Sequence, residues 1–111
     1  MKLVEKTLAP LASLKVQERY IVHGDKDNYL LPEDLLERAI NFLFEQQGVK
    51  YKNTDLMRKL KENIKTIEIP QSLSNHDLVY KYKPWIGIRE NSRLILEKTG
   101  FNLEEWEENE L

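Results

Sequence analysis

The sequence predicts a small, mostly helical α+β domain with an N-terminal β-hairpin and about four helices packed around a helix at 32–47. Three observations point there. Apolar residues recur at helical spacing in several stretches bounded by capping residues, glycine or proline. One stretch, 16–31, instead alternates around a dense turn. The chain has 111 residues, 41% hydrophobic and 32% charged, which suits a single domain over 1–111 that buries roughly two-thirds of its unfolded surface.

At the N-terminus Leu3, Val4, Leu8, Leu11 and Leu14 are helically spaced, but Pro10 interrupts them. Proline is tolerated only in a first turn, so Thr7 is expected to cap a short helix beginning near Leu8, the alternative being an irregular arm. From 16 to 22, Val16, Tyr20 and Val22 alternate with Gln17, Arg19 and His23. Gly24-Asp25-Lys26-Asp27-Asn28 is rich in turn formers, and Tyr29-Leu30-Leu31 resumes the apolar character. The expected structure is a β-hairpin. A continuous helix through 11–23 competes with it, although Tyr-Ile-Val favours a strand.

Residues 32–47 give the clearest helix. Pro32 suits the first helical position, and Glu33 and Asp34 suit the positive end of the dipole. The apolar face is broad, running from Leu35 to Phe44, so the helix is expected to be the centre of the core, with Gly48 as its stop. Asn53 can cap a helix at 54–65, and Thr66-Ile67-Glu68-Ile69 can form a short strand before Pro70. Ser74 and Asp77 form a capping pattern for a helix at 73–82, which Pro84 limits. A further helix at 88–99 is closed by Lys98 and Gly100. Finally, Asn102 and Glu105 match a cap, while Phe101 and Trp106 hold the two positions of a hydrophobic staple. A short acidic helix is therefore expected at 103–109, within a C-terminal segment of 102–111.

Charge is unevenly spread. The formal net charge of −2 conceals three zones. Residues 1–49 carry six basic and eight acidic groups, 50–101 carry eleven and six, and 102–111 carry five glutamates and no base. On the helix at 54–65, Arg58, Lys61 and Lys65 fall at about 200°, 140° and 180° from Leu56, opposite the apolar stripe. In YKYKPWIGIR, basic and aromatic residues interleave, and Tyr80, Lys81, Lys83, Trp85 and Arg89 join the candidate partner-binding set. Tyrosine, tryptophan and arginine dominate binding hot spots and can also hold bases and phosphates. A solvated basic face and a core role for Tyr82 and Trp85 are the plainer readings of the same residues. The glutamate-rich end can solubilise, fold over the basic face, or meet a basic partner.

Recognisable chemistry is sparse. The chain has no cysteine and two histidines, His23 and His76, not at metal-ligand spacing. Asp25-Lys26-Asp27-Asn28 opens like a calcium loop, but Leu30 and Leu36 stand at its sixth and twelfth positions, where glycine and glutamate are needed. No phosphate-binding glycine loop or nucleophile elbow occurs. Glu33 and Glu37 share a helix face but suit a solvated helix start. Lys2 and the apolar residues after it faintly suggest a leader, which Glu5 and Lys6 break, and no apolar run approaches the roughly 20 residues that span a bilayer.

These features predict a cytoplasmic, non-catalytic protein-binding module of the inhibitor, immunity, antitoxin or regulatory-adaptor type, with no cofactor, no metal and no membrane association. A protein partner is expected, and a homodimer is possible. The alternative is a nucleic-acid-binding regulator using a loose helix-turn-helix at 33–65 and the basic segment 50–98.

Overall fold

The computed structural model describes residues 3–24, 27–43 and 55–111. They form seven α-helices and one π-turn: α1 Leu3–Ala12, α2 Leu14–Gln17, a π-turn Glu18–Val22, α3 Pro32–Asn41, α4 Asp55–Thr66, α5 Asn75–Tyr80, α6 Lys83–Lys98 and α7 Leu103–Glu110. No strand occurs among the described residues, so the α+β class gives way to an all-helical one.

The predicted hairpin at 16–31 is the main correction. Ser13 caps α2, its hydroxyl accepting from the Val16 amide at 3.1 Å. The chain then widens into the π-turn, where the His23 amide reaches the Glu18 carbonyl five residues back at 3.0 Å. Val16, Gln17 and Ile21 all point inward. The apparent alternation arose because the buried set includes a glutamine and is carried across a widened turn. The 66–69 stretch also pairs with no strand. Its Ile67 amide closes the last turn of α4 on the Asn63 carbonyl.

Helix α1 starts at Leu3, earlier than the sequence suggested. Thr7 does not cap it. Its hydroxyl donates to the Leu3 carbonyl at 2.8 Å. Pro10 thus sits in the last turn, and the strain it brings is offset by burial of Val4, Leu8, Ala9, Leu11 and Ala12. Helix α6 also starts earlier than 88, because Pro84 opens this helix rather than merely closing the one before it. The predicted 44–47 end of the third helix, its Gly48 stop and the Asn53 cap lie outside the described residues.

The centre of the fold is α6, which packs against α1, α4 and α5, while α3 packs against α1 and α4. Among the described residues α6, and not α3, holds the place expected of the helix at 32–47. Helix α6 fits the central place because Trp85, Ile88, Ser92, Ile95 and Leu96 recur at helical spacing and are all buried. Met57, Leu60 and Ile64 of α4 meet them from one side, and Leu8 and Leu11 of α1 belong to the same core.

The C-terminal helix forms as expected. Gly100 adopts φ +80°, a left-handed conformation that a side chain would strain. The Phe101 amide bonds the Leu96 carbonyl and the Gly100 amide the Glu97 carbonyl, both at 3.1 Å. This pair of bonds is a Schellman closure. Asn102 then caps α7 by accepting from the Glu105 amide at 3.0 Å. Asn102→Ala should cost about 1 kcal/mol. Amide exchange should show the loss first in α7, and unchanged α7 protection would contradict the role of the cap.

Candidate binding surface

The predicted site residues divide into three groups. On α4, Arg58 and Lys65 are exposed and Lys61 is half-buried. Arg58 pairs with Asp55 on its own helix, a solvent-exposed contact of little energetic weight. At the end of α5, Tyr80 lies against His76 with ring centroids 4.8 Å apart, and Lys81 approaches Asp77 at 3.6 Å. Lys83 opens α6 and lines a shallow cleft with Tyr82, whose hydroxyl donates to the Glu68 carbonyl.

Trp85 and Arg89 face the other way. Trp85 is 1% exposed and Arg89 8%. Both converge on Gln17, whose amide oxygen accepts from Trp85 Nε1 and Arg89 Nη1, each at 3.0 Å. Arg89 Nη1 also donates to the Val79 carbonyl at 2.8 Å. Gln17 Nε2 in turn donates to the carbonyls of Pro10 and Leu11. One fully buried side chain thus ties α1, α2 and α6 together and, through Arg89, reaches α5. The interleaved segment is split by the break at Lys81–Tyr82, and the spacing of Trp85, Ile88, Arg89 and Ser92 turns its second half into the core.

Local charges shift several groups. The hydrogen bond from His76, with a smaller contribution from Lys81, holds the Asp77 carboxyl below its ordinary value. Its contribution to α5 is accordingly present above the usual carboxylate range and is lost as pH falls through the lowered value. Partial desolvation, followed by the Glu18 charge, pushes the Tyr80 phenol up. Burial pushes the Arg89 guanidinium down from its ordinary value, and its hydrogen bonds to Gln17 and Val79 go to neutral oxygens.

A cleft of about 680 Å³ lies between the start of α2, α6 and α7. Its charges are largely satisfied within the protein. Arg93 bridges Glu90 and Glu97, and the buried Glu107 carboxylate accepts from the Ser13 hydroxyl.

A second cleft, about 350 Å³, has a different character. Tyr20 from the π-turn, Tyr29 from the following loop, Arg38 from α3 and Trp106 from α7 line it, with Asp27 and Glu110. Tyr29 is 54% exposed. The loop is pinned by the Leu30 amide on the Tyr20 carbonyl at 2.8 Å. The Tyr20 hydroxyl donates to the Glu110 carbonyl at 3.1 Å, and the Arg19 guanidinium lies 5.7 Å from the Tyr20 ring centroid. Sequence reasoning did not find this site. Its residues come from α1, α2, the π-turn, the loop after it, α3 and α7, and the only signal was the staple position of Trp106.

Among the described residues, no group of three or more histidine, aspartate or glutamate side chains is placed to hold a metal ion, and no helix is long and apolar enough to cross a membrane. Comparison with protein-family models, curated proteins and solved structures gives no match.

Proposed function

We propose that the chain is a non-catalytic protein-binding module that acts by stoichiometric occupation of a partner, as small inhibitors, immunity proteins, antitoxins and adaptors do. The observation that supports this best is the surface cleft of Tyr20, Tyr29, Arg38 and Trp106. Aromatic and arginine side chains of this kind supply much of the energy at protein interfaces, because they bury large area at low entropic cost. In contrast, the buried polar residues Gln17, Arg89, Ser13 and Glu107 are engaged with one another and with the backbone.

The charge distribution supports the same reading. Glu104, Glu105, Glu108 and Glu110 are exposed on α7, while Arg58, Lys59 and Lys65 are exposed on α4. Helix α7 packs on α2, the ion pairs of Arg58 and Arg93 are made within their own helices, and Lys81, just past α5, pairs back onto Asp77. Surfaces of opposite sign are suited to steering a partner during encounter.

The nucleic-acid alternative draws on the basic side of α4. The test is capture from the native host lysate, with and without nuclease, at low and high salt. One protein recovered stoichiometrically after nuclease is the expected result. The variant R58E/K61E/K65E should then mainly slow its association. Recovery of only nuclease-sensitive, salt-labile material, lost in that variant, would overturn the proposal in favour of a phosphate surface.

A further inference from the structure

We infer that α7 is a strap that undocks from α2 as a unit, trading a docked helix for an unwound segment and joining the clefts on its two sides into one groove. The inference concerns the strap itself and goes beyond the binding-module reading, which it does not need. Helix α7 is undercut on both flanks. On one side Leu103, Glu104 and Glu107 share the cleft of about 680 Å³ with Ala12 and Lys15. On the other, Trp106 and Glu110 share the cleft of about 350 Å³ with Pro10, Val16 and Tyr20. The seam between them is the bond from the Ser13 hydroxyl to the Glu107 carboxylate, with the Tyr20 hydroxyl on the Glu110 carbonyl at the far end.

This seam holds the helix weakly. Among the described residues of α7 only Glu107 is buried, while Leu103 and Trp106 are half-buried. A buried carboxylate gives up hydration that a neutral hydroxyl only partly replaces. Lys15, Arg89 and Arg93 line the same cleft, but Arg93 is held by Glu90 and Glu97, and no ion pair reaches Glu107 among the described residues. Elements with few buried apolar contacts open locally, below the free energy of global unfolding.

Once undocked, the helix has little to keep it wound. It has eight residues, fewer than the roughly 12 at which an isolated helix is even marginal. Glu104 and Glu108 repel each other one turn apart. Glu108 and Glu110 stand near the negative end of the dipole, with no basic residue in the last turn. Helix α6, by contrast, is closed on its own carbonyls by the Gly100 and Phe101 amides, so its end survives the release. Opening uncovers Ser13 and runs the two clefts together along Ala12, Ser13 and Val16.

The experiment is native-state amide exchange of the full chain, read residue by residue by NMR. The α7 amides from Trp106 onward should show about tenfold less protection, or lower still, than those of Ile88 and Ile95 in α6. Glu107→Ala should lower α7 protection about tenfold further, as loss of a charged hydrogen bond does, and leave α6 unchanged. Glu108→Ala removes repulsion without touching the seam and should raise α7 protection about twofold. A Val16→Cys reporter, the one thiol in a chain without cysteine, should react with a small thiol reagent about tenfold faster when Glu107→Ala is added. Equal protection of α7 and α6 in the wild type would overturn the inference. So would an equal loss in both helices in Glu107→Ala, a loss in α7 in Glu108→Ala, or a Val16→Cys thiol that reacts no faster when Glu107→Ala is added.

Discussion

Gln17→Ala is expected to lower the unfolding free energy by about 3–5 kcal/mol, a large share of the roughly 5–15 kcal/mol typical of a domain. The side chain is 0% exposed and makes four hydrogen bonds. Truncation leaves the Pro10 and Leu11 carbonyls, the Trp85 indole N–H and part of the Arg89 guanidinium without these partners. Each buried orphan costs about 1–3 kcal/mol, discounted where the cavity admits water. Arg89→Met should cost much less. It removes the buried charge together with its desolvation penalty, and Gln17 keeps its bond from Trp85. Guanidinium chloride denaturation of both variants measures the difference. A Gln17→Ala loss no larger than that of Arg89→Met would show that Gln17 is not the hub of this core.

The second large effect concerns the loop that carries Tyr29. A Cβ on Gly24 would stand 2.4 Å from the Tyr20 carbonyl oxygen and 2.7 Å from the Tyr29 Cβ. Neither neighbour is the end of a flexible side chain, so the loop itself must move. Gly24→Ala should therefore destabilise by about 1–3 kcal/mol. It should also weaken the Leu30–Tyr20 backbone bond and displace Tyr29 from the cleft. Gly87 provides a control of opposite sign. It sits inside α6 with nothing within 4 Å of an added Cβ, and Gly87→Ala should stabilise by about 0.4–1 kcal/mol. Melting temperatures that move in the same direction for both would contradict this account.

Features set by local chemistry were legible in the sequence. Ser74 caps α5 and Asn102 caps α7 at the positions read from their spacing. Gly100 ends α6, and the apolar stripe of α4 is the buried one. What escaped depended on long-range partners. Gln17 reads as the polar face of a strand because its burial is satisfied by the Pro10 and Leu11 carbonyls of a folded-back α1 and by Trp85 and Arg89, far along the chain. Trp85 admits both a core and an anchoring reading, the core being the plainer and the one observed, whereas Arg89 reads as an anchor for the same reason. Pro84 has two local meanings, a stop or a start, and packing of Trp85 into the core decides for the start. The aromatic cleft was least accessible of all, since its rings are neighbours only after the π-turn, α3 and α7 have been assembled.

The π-turn gives this assembly an unusual dependence on chain length. A widened turn places one more residue between its ends than an α-turn would. Inserting one residue between Gln17 and Tyr20 would exceed what the widened turn absorbs and rotate one flank by about 100° relative to the other. Gln17 and Ile21, which now both face the core, would no longer do so together, and Tyr20 would leave its position beside Tyr29 and Trp106. The spacing of this segment therefore encodes as much of the surface as the identity of its side chains does. A substitution there changes one contact, whereas an insertion would uncouple the outer cleft from the inner core.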